Sequence, residues 1–220
     1  GRDDKRTEAP SNVPSMTPTD LTPTDSSNCF NSRRALFEAV DAYLLDSSDT
    51  SVVALERGWP IGAWCVGRIR DFSDVFARSR NRLNAAFNED ISSWDVSQGT
   101  DFTRCFEGTR VFNNTLLANW DLSRATSLEQ MFQDSLFDQP MGPWNVSRVR
   151  NVEALFLNAT RFNQGLNEWD MSGATSPKQM FQQAVLFKGD ISAWDVSKAI
   201  NFEQMFLMAT DFNGDLSSWN

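Results

Sequence analysis

Counting from each repeat tryptophan as position zero, apolar or small side chains recur at +2, +5, +8, +11, +12 and +15, with polar residues between them. The frame comes from Trp64, Trp94, Trp120, Trp144, Trp169, Trp194 and Trp219, the last six separated by 26, 24, 25, 25 and 25 residues. A second column, Phe87, Phe112, Phe137, Phe162, Phe187 and Phe212, recurs every 25 residues without exception. Self-similarity at this period marks a stacked, quasi-one-dimensional array in which each unit buries its apolar face against its neighbours. These Trp and Phe columns are therefore assigned to the structural core of the repeat, not to a ligand.

Within a unit, the steps of three and four from +5 to +15 predict a short helix. Position +7 supplies the start signal: Asp71, Asp101, Ser127, Asn151, Ser176 and Asn201 are all residues that cap first-turn amides. Asp74, Gln130, Gln179 and Gln204 follow three residues later in capping-box position, and Pro177 lands where a first helical turn tolerates it. The other half, as in Phe187 to Ser197, is rich in Gly, Asn and Asp and sets Trp194 and Val196 two apart, so it reads as extended. Stacked copies predict a narrow parallel sheet with strands about 4.8 Å apart. The expected fold is an α/β solenoid, a right-handed coil of about six strand-plus-short-helix units over residues 59–220.

Upstream the pattern changes. Leu36, Phe37, Val40, Tyr43 and Leu44 form a helical stripe from Ser32 to about Asp46, and a second short helix is expected from near Thr50 to Gly58. Residues 29–58 are thus expected to be a helical N-terminal cap over the open end of the core. Residues 1–28 carry Pro10, Pro14, Pro18 and Pro23 among Ser, Thr and Asp, and are expected to be a disordered linker. At the other end, Asn220 follows Trp219 before any helical half. This predicts a truncated last unit, a continuation of the full-length protein, and association through the open C-terminal end.

Composition narrows the chemistry. There is no histidine among the 220 residues, which removes the commonest general base and metal ligand. The net charge is −9, which disfavours nucleic acid or an anionic membrane as partner. No apolar run approaches the ~20 residues of a membrane span. Cys29, Cys65 and Cys105 are odd in number and far from CxxC spacing, arguing against a disulfide framework and for Cys65 and Cys105 as buried small residues.

Each candidate motif has a structural reading. Asp95/Ser97, Asp121/Ser123, Asn145/Ser147, Asp170/Ser172 and Asp195/Ser197 could form a calcium column, but Asn145 keeps its place without a charge, which favours repeated Asx turns. Asn88, Asn113, Asn163 and Asn213 read as an asparagine ladder closing backbone groups. Glu89 and Asp90 are adjacent carboxylates with no sign of desolvation, so acid–base catalysis is not expected. Arg148, Arg150 and Arg161 make a weak basic cluster on an acidic chain. No catalytic, cofactor-binding or metal residue is assigned.

The unit Ala-x-x-Phe-Asn-x-Asp-Ile-Ser-x-Trp-Asp-Val-Ser, continuing to Met-Phe and best seen from Ala184 to Trp194 and on to Met205-Phe206, resembles the BspA-like leucine-rich-repeat surface proteins of the Trp-Asp-Val-Ser subtype, a domain of unknown function. The resemblance covers about residues 59–220. It implies a leucine-rich-repeat-like solenoid, often surface-exposed, with adhesion or protein interaction proposed for the family and no catalytic activity established; it does not identify a ligand. Cys65 and Gly67 depart from the pattern in the first unit, as does Met141-Gly-Pro143 in a later one. The functional expectation is a non-enzymatic scaffold for protein–protein interaction or cell-surface adhesion, extracellular or at the surface, with a protein or surface glycan as ligand. The alternative is a purely structural spacer.

Overall fold

The computed structural model describes residues 28–219, so the linker expected over residues 1–28 lies, but for Asn28, outside the described residues. Two α-helices come first. In α1 (Arg33–Leu45), the hydroxyl of Ser32 accepts from the amide of Ala35 at 3.2 Å, and Leu36, Ala39, Val40 and Tyr43 face the core. Helix α2 (Val52–Arg57) is capped in the same way by Ser51 and stops at Gly58, whose φ of 95° suits a residue without Cβ. Both helices pack on the first Trp unit. The rings of Phe30 and Tyr43 sit 5.5 and 5.8 Å from Trp64, and Arg80 donates to both carboxylate oxygens of Asp41 at 2.8 Å. A disulfide joins Cys29 to Cys65. This corrects the reading of Cys65 as a small core residue: pairing across 36 residues is made where the segment before α1 meets the first unit, the amide of Phe30 donating to the carbonyl of Cys65 at 2.9 Å, which local spacing does not report.

The expected α/β solenoid of strand-plus-short-helix units is not formed. Among the described residues there is no β-strand, and beyond α2 only three 3-10 segments occur, at Ile61–Ala63, Arg82–Ala86 and Thr115–Asn119. The narrow sheet is replaced by isolated parallel bridges, Asp71 to Asp101, then Ser127, Asn151 and Ser176 in turn. The physical reason lies in two left-handed positions per unit. At +10, Asp74, Arg104, Gln130, Ala154, Gln179 and Gln204 have φ between 53° and 62°. At +14, Gly108, Asp134, Asn158, Gln183 and Met208 have φ between 55° and 68°. A left-handed residue at every fourth place ends both an α-helical run and an extended one. The +7 side chains therefore start no helix; Asp101 and Asn201 each accept the amide two residues on, at 2.9 Å. Gln130, Gln179 and Gln204, expected to close capping boxes, occupy the left-handed turn instead.

The backbone bonds of this region alternate in direction. Amides of Phe72, Asp74, Phe76 and Arg78 donate to the carbonyls of Asp101, Thr103, Cys105 and Glu107 in the next unit, at 2.8–2.9 Å. The amides between them turn back three residues, as Ala77 does to Asp74 at 3.1 Å. The same alternation repeats at Phe102 to Gly108 and at Leu128 to Asp134. Each unit is thus a coil of turns that gives hydrogen bonds forward and receives them from behind, which leaves few buried backbone groups unpaired.

Inside the coils the rings form two parallel stacks. Phe76, Phe106, Phe132, Phe156, Phe181 and Phe206 follow one another with centroids 5.5–5.9 Å apart. Each also stacks on its partner from the Phe87 column, the pairs lying 3.9–4.5 Å apart. Indole N–H groups need partners when buried. Trp94, Trp120, Trp144, Trp169 and Trp194 donate to the carbonyls of Ile61, Ile91, Leu117, Met141 and Leu166, at 2.8–3.1 Å.

Candidate functional site

The aromatic columns are interior. Trp64, Trp94, Trp120, Trp144, Trp169 and Trp194 are buried, as are Phe87, Phe112, Phe137, Phe162 and Phe187, while Phe212 and Trp219 are half-buried against the core. None of the buried rings is presented to a ligand. The Asp-x-Ser corners are Asx turns: Asp95, Asp121, Asn145, Asp170 and Asp195 accept the amides of Ser97, Ser123, Ser147, Ser172 and Ser197, at 2.9–3.2 Å. The hydroxyl and amide of the following serine hold the carboxyls of Asp121, Asp170 and Asp195 below the usual range. Among the described residues no group of three or more Cys, Asp or Glu is placed to hold a metal.

The asparagine ladder runs between units. Asn88 accepts the amide of Asn113 at 3.1 Å, Asn113 that of Asp138 at 2.8 Å, and Asn163 that of Lys188 at 2.7 Å. Asp138 fills the missing place by accepting from Asn163 at 2.9 Å. The carboxylate of Asp90 is engaged by the amide of Ser92 and the side chain of Asn114. Cys105 is buried, and desolvation pushes its thiol well up, which disfavours the nucleophilic thiolate. A cleft of about 520 Å³ lies between α1 and the first coils, lined by Phe37, Asp74, Arg80, Arg104, Glu107 and Gln133 among others. Its two arginines are engaged: Arg80 by Asp41, and Arg104 by Asp74 at 2.7 Å.

A different surface carries a row of exposed cations. At +4 stand Arg68, Gln98, Arg124, Arg148, Gly173 and Lys198, and at +6 stand Arg70, Thr100, Thr126, Arg150, Thr175 and Ile200. The residue between, at +5, points inward: Ile69, Ala125, Val149 and Ala174 are buried, so +4 and +6 face out together. Arg68, Arg70, Arg124, Arg148, Arg150 and Lys198 are all exposed. None of them belongs to the ion pairs of the described residues, which involve Arg33, Arg34, Arg80, Arg104, Lys178 and Lys188. Two details close gaps in the +4 column. Arg124 donates to Gln98 of the preceding unit at 2.5 Å. A Cβ at Gly173 would collide with Nη1 of Arg150, so the missing side chain gives room to that guanidinium. Arg148 and Arg150 share this face, whereas Arg161 belongs to the segment leading into Phe162, a different part of the unit. The sequence signal that could have exposed the face is the recurrence of basic residues at +4, which tracking only consensus positions overlooks.

The family model described as "Mycoplasma protein of unknown function, DUF285" matches the chain twice, over residues 54–140 and 133–220. The chain belongs to that family. No curated protein and no solved structure matches it.

Proposed function

We propose that this member of the DUF285 family is a non-catalytic repeat scaffold that recognises a macromolecule, by protein–protein contact or by adhesion at the cell surface. The observation that carries the reading is segregation of charge. A chain with a net charge of −9 gathers six exposed cations at two adjacent repeat positions, where a spacer has no use for a distinctive face. Placement outside the cytoplasm is supported by the Cys29–Cys65 disulfide, which persists in oxidising compartments. Among the described residues no helix is long and apolar enough to cross a membrane. Kinship to the BspA-like surface proteins is supported by the Trp-Asp-Val-Ser units; the strand-bearing coil that the name implies is not part of the proposal.

The test immobilises the chain on beads and incubates them with intact animal cells, before and after enzymatic removal of surface glycans and, separately, of surface proteins. Retention of beads above a coating of an unrelated acidic protein is expected. Equal retention of both coatings makes the chain a spacer.

A further inference from the structure

Resting on that reading, we propose that the face formed by the +4 and +6 positions binds a linear anionic glycan, sulfated or rich in uronic acid, running along the stack with its anionic groups on Arg124, Arg148 and Arg150. Three observations converge on this segment. Here the acidic corner column that flanks the face is interrupted, with Asn145 standing between Asp121 and Asp170. Here the cations are densest, Arg148 and Arg150 coming from one unit and Arg124 from the unit before it. And here Gly173 lets the Arg150 guanidinium extend the row toward the next unit.

The spacing selects among polyanions. Successive units are joined on this face by backbone hydrogen bonds, from the amide of Thr126 to the carbonyl of Thr100 at 2.8 Å and from that of Arg150 to Thr126 at 2.9 Å, which sets a step of about 4.8 Å. That step is close to the length of one sugar ring in a linear glycan. An extended acidic peptide places same-side carboxylates about 6.6 Å apart, so it drifts out of register by about one unit over three steps. A single-stranded nucleic acid needs stacking aromatics beside its phosphates. On this face the rings are turned inward, and the exposed apolar residue at +6 is Ile200. Bidentate guanidinium contacts to sulfate or carboxylate then supply both attraction and alignment.

The experiment measures binding of the 220-residue chain to immobilised heparin oligosaccharides at low salt, beside an oligothymidine strand and a polyglutamate peptide. The variant R124Q/R148Q/R150Q is compared with R82Q/R110Q/R161Q, which removes the same charge from exposed arginines at unrelated repeat positions. Thermal melts of both variants verify folding. Saturable heparin binding is expected, weakened about tenfold or more in the first variant and little changed in the second, with a steep loss on adding salt. G173A is a second probe: by displacing the Arg150 guanidinium it should weaken heparin binding less than the triple change. Absence of heparin binding, equal weakening by both triple variants, or tighter binding to oligothymidine or polyglutamate overturns the proposal. If heparin binding is absent while beads still adhere to cells, the glycan assignment falls and the recognition scaffold stands.

Discussion

Trp169 and Trp219 occupy the same place in their units and make the same backward bond, to the carbonyls of Met141 at 2.9 Å and Ile191 at 3.2 Å. Yet Trp169 is 2% exposed and Trp219 only half-buried against the core. The neighbouring rings differ likewise: Phe181 is fully buried and Phe206 is not. A repeat residue therefore carries its hydrogen bond in its own sequence, but its burial is supplied largely by the unit stacked after it. Stability in such an array is a sum over units and interfaces, so equivalent residues should contribute unequally.

The largest expected effect is at the interior position. Trp169→Ala should cost about 3–5 kcal/mol through lost packing and an unfilled cavity, whereas Trp219→Ala should cost about 1–2 kcal/mol because part of its surface already meets water. Urea unfolding of both variants measures the gap. Equal losses would break the comparison and show that burial at the two positions is the same in solution.

The N-terminal side is held differently, by a covalent tie between the segment before α1 and the first coil. Removing it in Cys29→Ser should cost about 2–4 kcal/mol, the usual effect of releasing a loop of this length. Native-state hydrogen exchange should show the loss concentrated in α1 and the Trp64 unit, with the Trp169 unit little changed. Uniform loss of protection along the chain would mean that the stack unfolds as one cooperative block.

Within a unit the contrast is between left-handed and ordinary positions. Ala154 is buried at φ 53°, where glycine escapes the steric penalty of a Cβ. Ala154→Gly should be neutral or stabilise by about 0.5–1 kcal/mol, while Ala174→Gly at buried position +5 should cost about 1 kcal/mol. A helix over +5 to +15 requires a cost at Ala154 as well. A destabilised Ala154→Gly would therefore restore the helical geometry.

That contrast also explains what the chain made legible. The 25-residue period, the turns after Asp95 and its equivalents, the start of α1 after Ser32 and the stop of α2 at Gly58 are written in local residue types. The geometry of +5 to +15 is not. Spacing by threes and fours says which side chains return to the core, and a stack of three-residue turns with left-handed corners returns them as well as a helix does. Glycine would have signalled the left-handed places, but they are filled by Asp74, Arg104, Gln130 and Gln179. The candidate face was hidden for another reason. Its continuity depends on Arg124 leaning to Gln98 and Arg150 filling the place vacated at Gly173, contacts between units that no single repeat displays.

The smallest expected effect separates the corner carboxylates from the neutral corner at Asn145. In the folded chain the hydroxyl and amide of the following serine lower the carboxyls of Asp121, Asp170 and Asp195. A depressed folded value means that the ionised form is the one folding favours. The contribution is therefore fully present above the unfolded carboxyl value, about 3.9, and is lost as pH falls through the lower folded values. These groups are largely solvated, so screening keeps the effect small. Asn145 shows that an amide oxygen serves the same turn, accepting from Ser147 at 3.2 Å. D121N/D170N/D195N should thus retain the fold at neutral pH and show a shallower fall in urea midpoint below about pH 4. The same acid slope in variant and parent would mean that these three corners contribute nothing to the pH dependence. In that case the load would pass to Asp90, Asp190 and Asp215, which serine partners lower in the same way.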